Sequence, residues 1–131
     1  MWNLRCAHLL MPVLNLMSEN TKARFSEYLD SGRLDRSLNK MMRDGLFPDW
    51  FAKEFSYDPL YGRVNELRTL LSGAAFNGLL RLDGTHFQYH LELSEYLIDY
   101  LLTEVPLEKE KACVLAEKLN ELLTQNQKLP T

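Results

Sequence analysis

His86 and His90 stand four residues apart in "THFQYHLEL", a spacing that on a helix aims two imidazoles at one metal ion. On a strand the same spacing holds them about 13 Å apart along one face, too far to share an ion. The alternation around them is that of a strand, so both are read as solvent-face residues and no metal is assigned. His8 follows Cys6 closely, yet no further ligand or orienting acid completes a zinc site or an activated thiol. Cys6 and Cys113 are too few for a disulfide framework and read as buried, reduced thiols. Asp30, Asp35, Asp44 and Asp49 fall where helices start or stop, as helix capping alone arranges them. There is no Gly-rich phosphate loop and no G-x-S-x-G elbow. The expectation is a non-enzyme with no catalytic residues, no metal and no cofactor.

The elements that would hold these residues are mostly helical. Cys6, Leu9, Leu10, Val13, Leu14 and Met17 recur at helical steps with Pro12 inside the stripe, which predicts a helix kinked or restarted at the proline. Ser18 or Asn20 can cap a second helix carrying Phe25, Tyr28 and Leu29 to the "DSG" turn. A third, "RLDRSLNKMMRDG", places Leu34, Leu38, Met41 and Met42 on one face with Gly45 to stop it. The aromatic stretch "FPDWFAKEFSY" reads as a short helix whose rings pack into the core rather than stack on bases.

Asp58 as N-cap and Pro59 as first helical residue predict a helix over residues 59–72. Its buried stripe is Leu60, Val64, Leu67, Leu71 and Ala74. Thr69, Gly62, Asn65 and Glu66 then face outward, flanked by Arg63 and Arg68. Asp83-Gly84 predicts a hairpin over 78–93 through a two-residue type I′ turn, with Leu82 facing Thr85, Leu80 facing Phe87 and Gly78 facing Tyr89. That register gathers Leu80, Leu82, Phe87, Tyr89 and Leu91 on one face, and Arg81, His86, Gln88, His90 and Glu92 on the other. Two further helices follow, one capped by Ser94. In the last, Ala112, Leu115, Leu119 and Leu122 pack on the body of the domain rather than form a dimer seam.

The expected class is mainly α with one β-hairpin, a single domain over 1–131 with C-terminal helices (about 94–125) packed on it. The order helix, helix, helix, hairpin over about 33–93 resembles a winged-helix domain. That resemblance implies a groove-reading helix at 59–72 and a wing at 78–93. Arg63, Asn65, Arg68 and Thr69 would then meet bases or phosphates, and Arg81, His86 and His90 would lie on the wing.

Length and charge set the remaining bounds. The 131 residues, 46% hydrophobic and 25% charged, suit one folded domain. The net charge of −3 is uneven: residues 1–81 carry 11 Lys and Arg against 9 Asp and Glu, and residues 82–131 carry 4 against 9. The N-terminal apolar run is broken by His8, Pro12 and Asn15 and lacks a cleavage site. A cytoplasmic protein without a signal peptide or membrane span is therefore expected. Two functions by occupancy fit: a regulatory module binding a partner protein (adaptor, inhibitor or immunity type), which the acidic C-terminal part favours, or a regulator binding duplex DNA, possible as a homodimer through the C-terminal helices.

Overall fold

The computed structural model of the chain describes residues 4–85 and 88–125. Among them are eight helices and two small antiparallel hairpins. The class is the mainly helical α+β one expected, with one hairpin more.

Helix α1 (Leu4–Asn15) is the centre of the core. The stripe read from the sequence is buried, but so are Ala7, Met11, Pro12 and Asn15, so the helix is enclosed rather than one-sided. It is surrounded by α6 (Leu67–Phe76), α7 (Glu95–Glu104) and α8 (Lys109–Thr124). Asn15 is tolerated there because it is satisfied: Nδ2 donates to Met11 O (2.8 Å) and Oδ1 accepts from Leu93 N (3.0 Å).

Ser18 caps the next helix, its Oγ accepting from Thr21 N at 3.3 Å. The single helix expected from there is instead two, α2 (Glu19–Ala23) and α3 (Phe25–Asp30). Arg24, at φ −104° and ψ 16°, leaves the helical region between them, and the bend lets Phe25, Tyr28 and Leu29 reach the core. Helix α4 (Arg33–Arg43) ends as expected, with Gly45 at φ +75° donating its N–H to Met42 O. After Pro48, the short α5 (Asp49–Ala52) places Phe51 against Phe47 at 4.6 Å and against Phe55 at 4.8 Å. Phe47 and Phe51 are buried, which spends these aromatics on packing.

The helix expected over 59–72 is the main correction. Residues 57–64 form a hairpin of β1 (Tyr57–Asp58) and β2 (Arg63–Val64), and the helix begins only at Leu67. Asp58 explains the error, because an aspartate accepting from the backbone two residues on serves an Asx turn as well as an N-cap. Its Oδ1 accepts from Leu60 N (2.9 Å). Gly62, at φ +65°, then donates to Asp58 O (2.8 Å), which folds the chain back instead of winding it on. Glu66 closes the base of this hairpin, accepting from Ser56 N and Ser56 Oγ, both at 2.7 Å. Leu60 is consequently exposed, while Val64, Leu67, Leu71 and Ala74 stay buried.

The second hairpin, β3 (Arg81–Asp83) with β4 (Gln88–His90), exists in a different register: Arg81 faces His90, Leu82 faces Tyr89 and Asp83 faces Gln88. Gly84 has no positive φ, so the type I′ turn is not formed. Asp83 Oδ1 instead accepts from Thr85 N (2.9 Å), and residues 84–87 separate the paired ends. Tyr89 has moved from Gly78 to Leu82, an even shift of four, so Leu82 and Tyr89 still share one face and Arg81 and His90 the other. Phe87 and His86 lie outside the described residues. The outer edge of β4 is held by α3, where Ser26 Oγ accepts from Tyr89 N (3.0 Å).

The apolar stripe of α8, from Ala112 to Leu123, is buried against the body of the protein. Arg33 fastens its end, donating from Nε to Leu123 O (2.8 Å) and from Nη2 to Gln125 O. Among the described residues no helix is long and apolar enough to cross a membrane.

Candidate functional site

Several of the residues singled out for nucleic acid are engaged within the protein. Arg63 lies in β2, not on a helix, and its Nη2 donates to Asp30 O (3.2 Å). Asn65 follows β2, and its Nδ2 donates to Ser56 Oγ (3.0 Å). Arg68 is on α6 but turns inward: Nη1 donates to Asp35 Oδ2 (2.8 Å), while Nη2 donates to Asp35 Oδ1 (3.0 Å) and Leu29 O (2.9 Å). These bonds to Asp35 push the guanidinium pKa further up. Asp35 is fully buried and also accepts from Val64 N (2.9 Å). It joins α4 to β2 and α6, a structural knot rather than a binding group.

Thr69 does face outward. With Ser72 and Phe76 it makes up the exposed residues of α6, and none of the three is a cation. On the second hairpin, Arg81 grips Glu92 with two bonds of 2.8 Å, which hold the Glu92 carboxyl below its ordinary pKa. His90 Nε2 is shielded from water and lies 3.9 Å from Asp83 Oδ2. His86, the remaining candidate, lies outside the described residues. Among the described residues no group of three or more His, Cys, Asp or Glu is arranged to hold a metal ion.

A different surface stands out, on α7. This helix starts at Ser94, whose Oγ accepts from Leu97 N (3.2 Å), and it buries Ile98, Leu101 and Leu102. The opposite side presents Tyr96, 77% exposed, and Tyr100, 52% exposed, one turn apart, with Leu97 beside them. The Tyr100 hydroxyl is hydrogen-bonded to Glu104, which raises its pKa. Lys109, from the start of α8, reaches across to Glu95 (3.1 Å) and Asp99 (3.0 Å) on one flank. Beside that flank a cleft of about 650 Å³ opens between α7 and α8, lined in part by Asp99, Thr103, Glu108 and Lys109. Beyond the Ser94 cap, none of this was singled out from the sequence. The signal was present nonetheless: once Ile98, Leu101 and Leu102 are taken as the buried stripe, a step of 100° per residue puts Tyr96, Tyr100 and Thr103 outside.

No protein-family model matches the chain, and no curated protein or solved structure is significantly similar to it.

Proposed function

We propose that the protein is a small non-enzymatic regulatory module that acts in the cytoplasm by binding a partner protein. The observation that carries this reading is the exposed Tyr96, Tyr100 and Leu97 on one helix. Tyrosines are enriched where interfaces draw their energy, because a rigid ring buries large area at small entropic cost and its hydroxyl stays paired. The occupancy of Arg63, Arg68 and Arg81 by internal acceptors supports the same reading over DNA binding. Affinity for duplex DNA rests on cations able to neutralise phosphates, and α6 offers none on its exposed side.

Two parallel measurements on the intact chain test this. Affinity capture from host lysate is expected to retain a protein in stoichiometric amount, and titration with duplex DNA at low salt is expected to show no binding. An empty capture, together with DNA binding that weakens steeply with salt, would replace this reading with the DNA-binding one.

A further inference from the structure

We infer that the outward face of α7 docks an arginine-bearing basic segment of the partner, with guanidinium groups laid on Tyr96 and Tyr100 and drawn to the carboxylates around them. The inference rests on the protein-binding reading and names the chemistry of the partner. From Glu92 to Glu108 the chain carries five acidic residues and no lysine or arginine. Cations reach this region from neighbouring elements. Arg81 is spent on Glu92, and Lys109 is shared between Glu95 and Asp99. Arg5 is turned onto the Trp50 ring at 3.9 Å and the Val105 carbonyl at 3.1 Å. Against these three cations, Arg5, Arg81 and Lys109, the five carboxylates still leave the region negative.

The placement of that charge suits a planar cation. Asp99 lies three residues beyond Tyr96 and Glu104 four beyond Tyr100, so each ring has a carboxylate on the same side of the helix one turn on. A guanidinium can therefore stack on a ring and donate in its own plane to the neighbouring carboxylate, which a spherical ammonium cannot do equally well. The cleft lined by Asp99, Thr103 and Glu108 adjoins the stripe and has room for a side chain. Lys109 is the gate to that cleft, since an incoming arginine competes with it for Asp99.

The test uses the intact chain and three synthetic twelve-residue peptides of identical spacing, bearing arginine, lysine or glutamine at alternate positions. Affinity is read by fluorescence anisotropy and the site by amide chemical-shift perturbation. The arginine peptide is expected to bind several-fold more tightly than the lysine peptide, the glutamine peptide not at all, and shifts should centre on residues 95–104. Tyr96→Ala with Tyr100→Ala should weaken the arginine peptide by about tenfold, with only a small shift of the melting midpoint because Tyr96 is exposed and Tyr100 half-exposed. Glu117→Gln with Glu121→Gln on α8, equal in charge to Asp99→Asn with Glu104→Gln, should leave binding unchanged while the latter pair weakens it. Equal loss from both pairs, arginine and lysine peptides binding the unsubstituted protein alike, or an arginine preference that survives removal of the tyrosines would overturn the inference. If a partner captured from lysate is still held by the Tyr96→Ala, Tyr100→Ala protein, the docking face is wrong and the protein-binding reading stands. If nothing is captured at all, that reading falls and this inference with it.

Discussion

Removing Arg68 is expected to destabilise the protein more than any other substitution at a residue that is not apolar core. In Arg68→Ala the Asp35 carboxylate, fully buried, keeps one donor, Val64 N at 2.9 Å, and loses two from the guanidinium at 2.8 and 3.0 Å. Leaving a buried charge without its partner costs about 3–5 kcal/mol, a large part of the roughly 5–15 kcal/mol that holds a domain folded. The reciprocal change is milder. In Asp35→Ala the Val64 N–H is orphaned at about 1–3 kcal/mol, but Arg68, whose side chain is 42% exposed, keeps Leu29 O and can turn to water. Screening reduces the loss on its side to about 1 kcal/mol or less. Urea denaturation of the two single variants and the double variant measures this. Arg68→Ala should be the less stable single variant by about 1 kcal/mol, and the double variant should recover about 1–3 kcal/mol relative to additivity. Strict additivity, or Arg68→Ala within about 1 kcal/mol of the parent protein, would refute the view that Asp35 depends on Arg68.

Gly32→Ala should cost about 1–2 kcal/mol from its left-handed backbone, as read by denaturation, and Arg63→Ala in the same protein should not relieve it, because the added Cβ meets only the movable ends of arginine side chains. Glu66→Ala should open the first hairpin at about 1 kcal/mol or less, seen as faster amide exchange at Asn65, whose N–H donates to Ser56 O. Cys6, its thiol pushed up to about 11 by burial and secondarily by Glu54, should resist alkylation at neutral pH while the half-buried Cys113 reacts. Because the Cys6 value is raised on folding from 9.0 to about 11, its contribution to stability is complete below 9.0 and lost as pH rises towards 11; Cys6→Ala should remove that alkaline loss in thermal melts. Glu92 is held low by Arg81, so its contribution is present above the ordinary value of 4.5 and lost as pH falls through the folded one; a carboxyl-carbon titration of Glu92 should show a midpoint that returns to the ordinary range in Arg81→Gln.

What could be foreseen follows from how local the determining physics is. Ser18, Ser94 and Gly45 act through contacts within three or four residues, and the caps and stop they predict are found. Asp58 also acts locally, yet its one contact serves two outcomes, and the choice lay with Gly62 and Glu66 beyond it. The second hairpin kept its pairing parity despite a wrong turn, but not the burial expected of its faces, for Leu82 is exposed and His90 half-buried; its turn length depends on local bonds such as Asp83 to Thr85. Arg68 is the instructive failure. On a helical wheel it flanks the buried stripe and counts as a surface cation, and only Asp35, 33 residues earlier, turns it inward. The sequence alone attaches no role to the tyrosines of α7, although their phase relative to Ile98 places them outside.

The enclosure of α1 has a bearing on how the chain comes off the ribosome. This deeply buried helix is made before its cover, for the helices that enclose it come from residues 67 to 124, and Arg5 meets its acceptor on Val105 a hundred residues downstream. At about 5–20 residues per second, roughly 5–20 s pass before those partners exist. During that interval Leu9, Leu10, Val13 and Leu14 lack the helices that bury them in the finished fold.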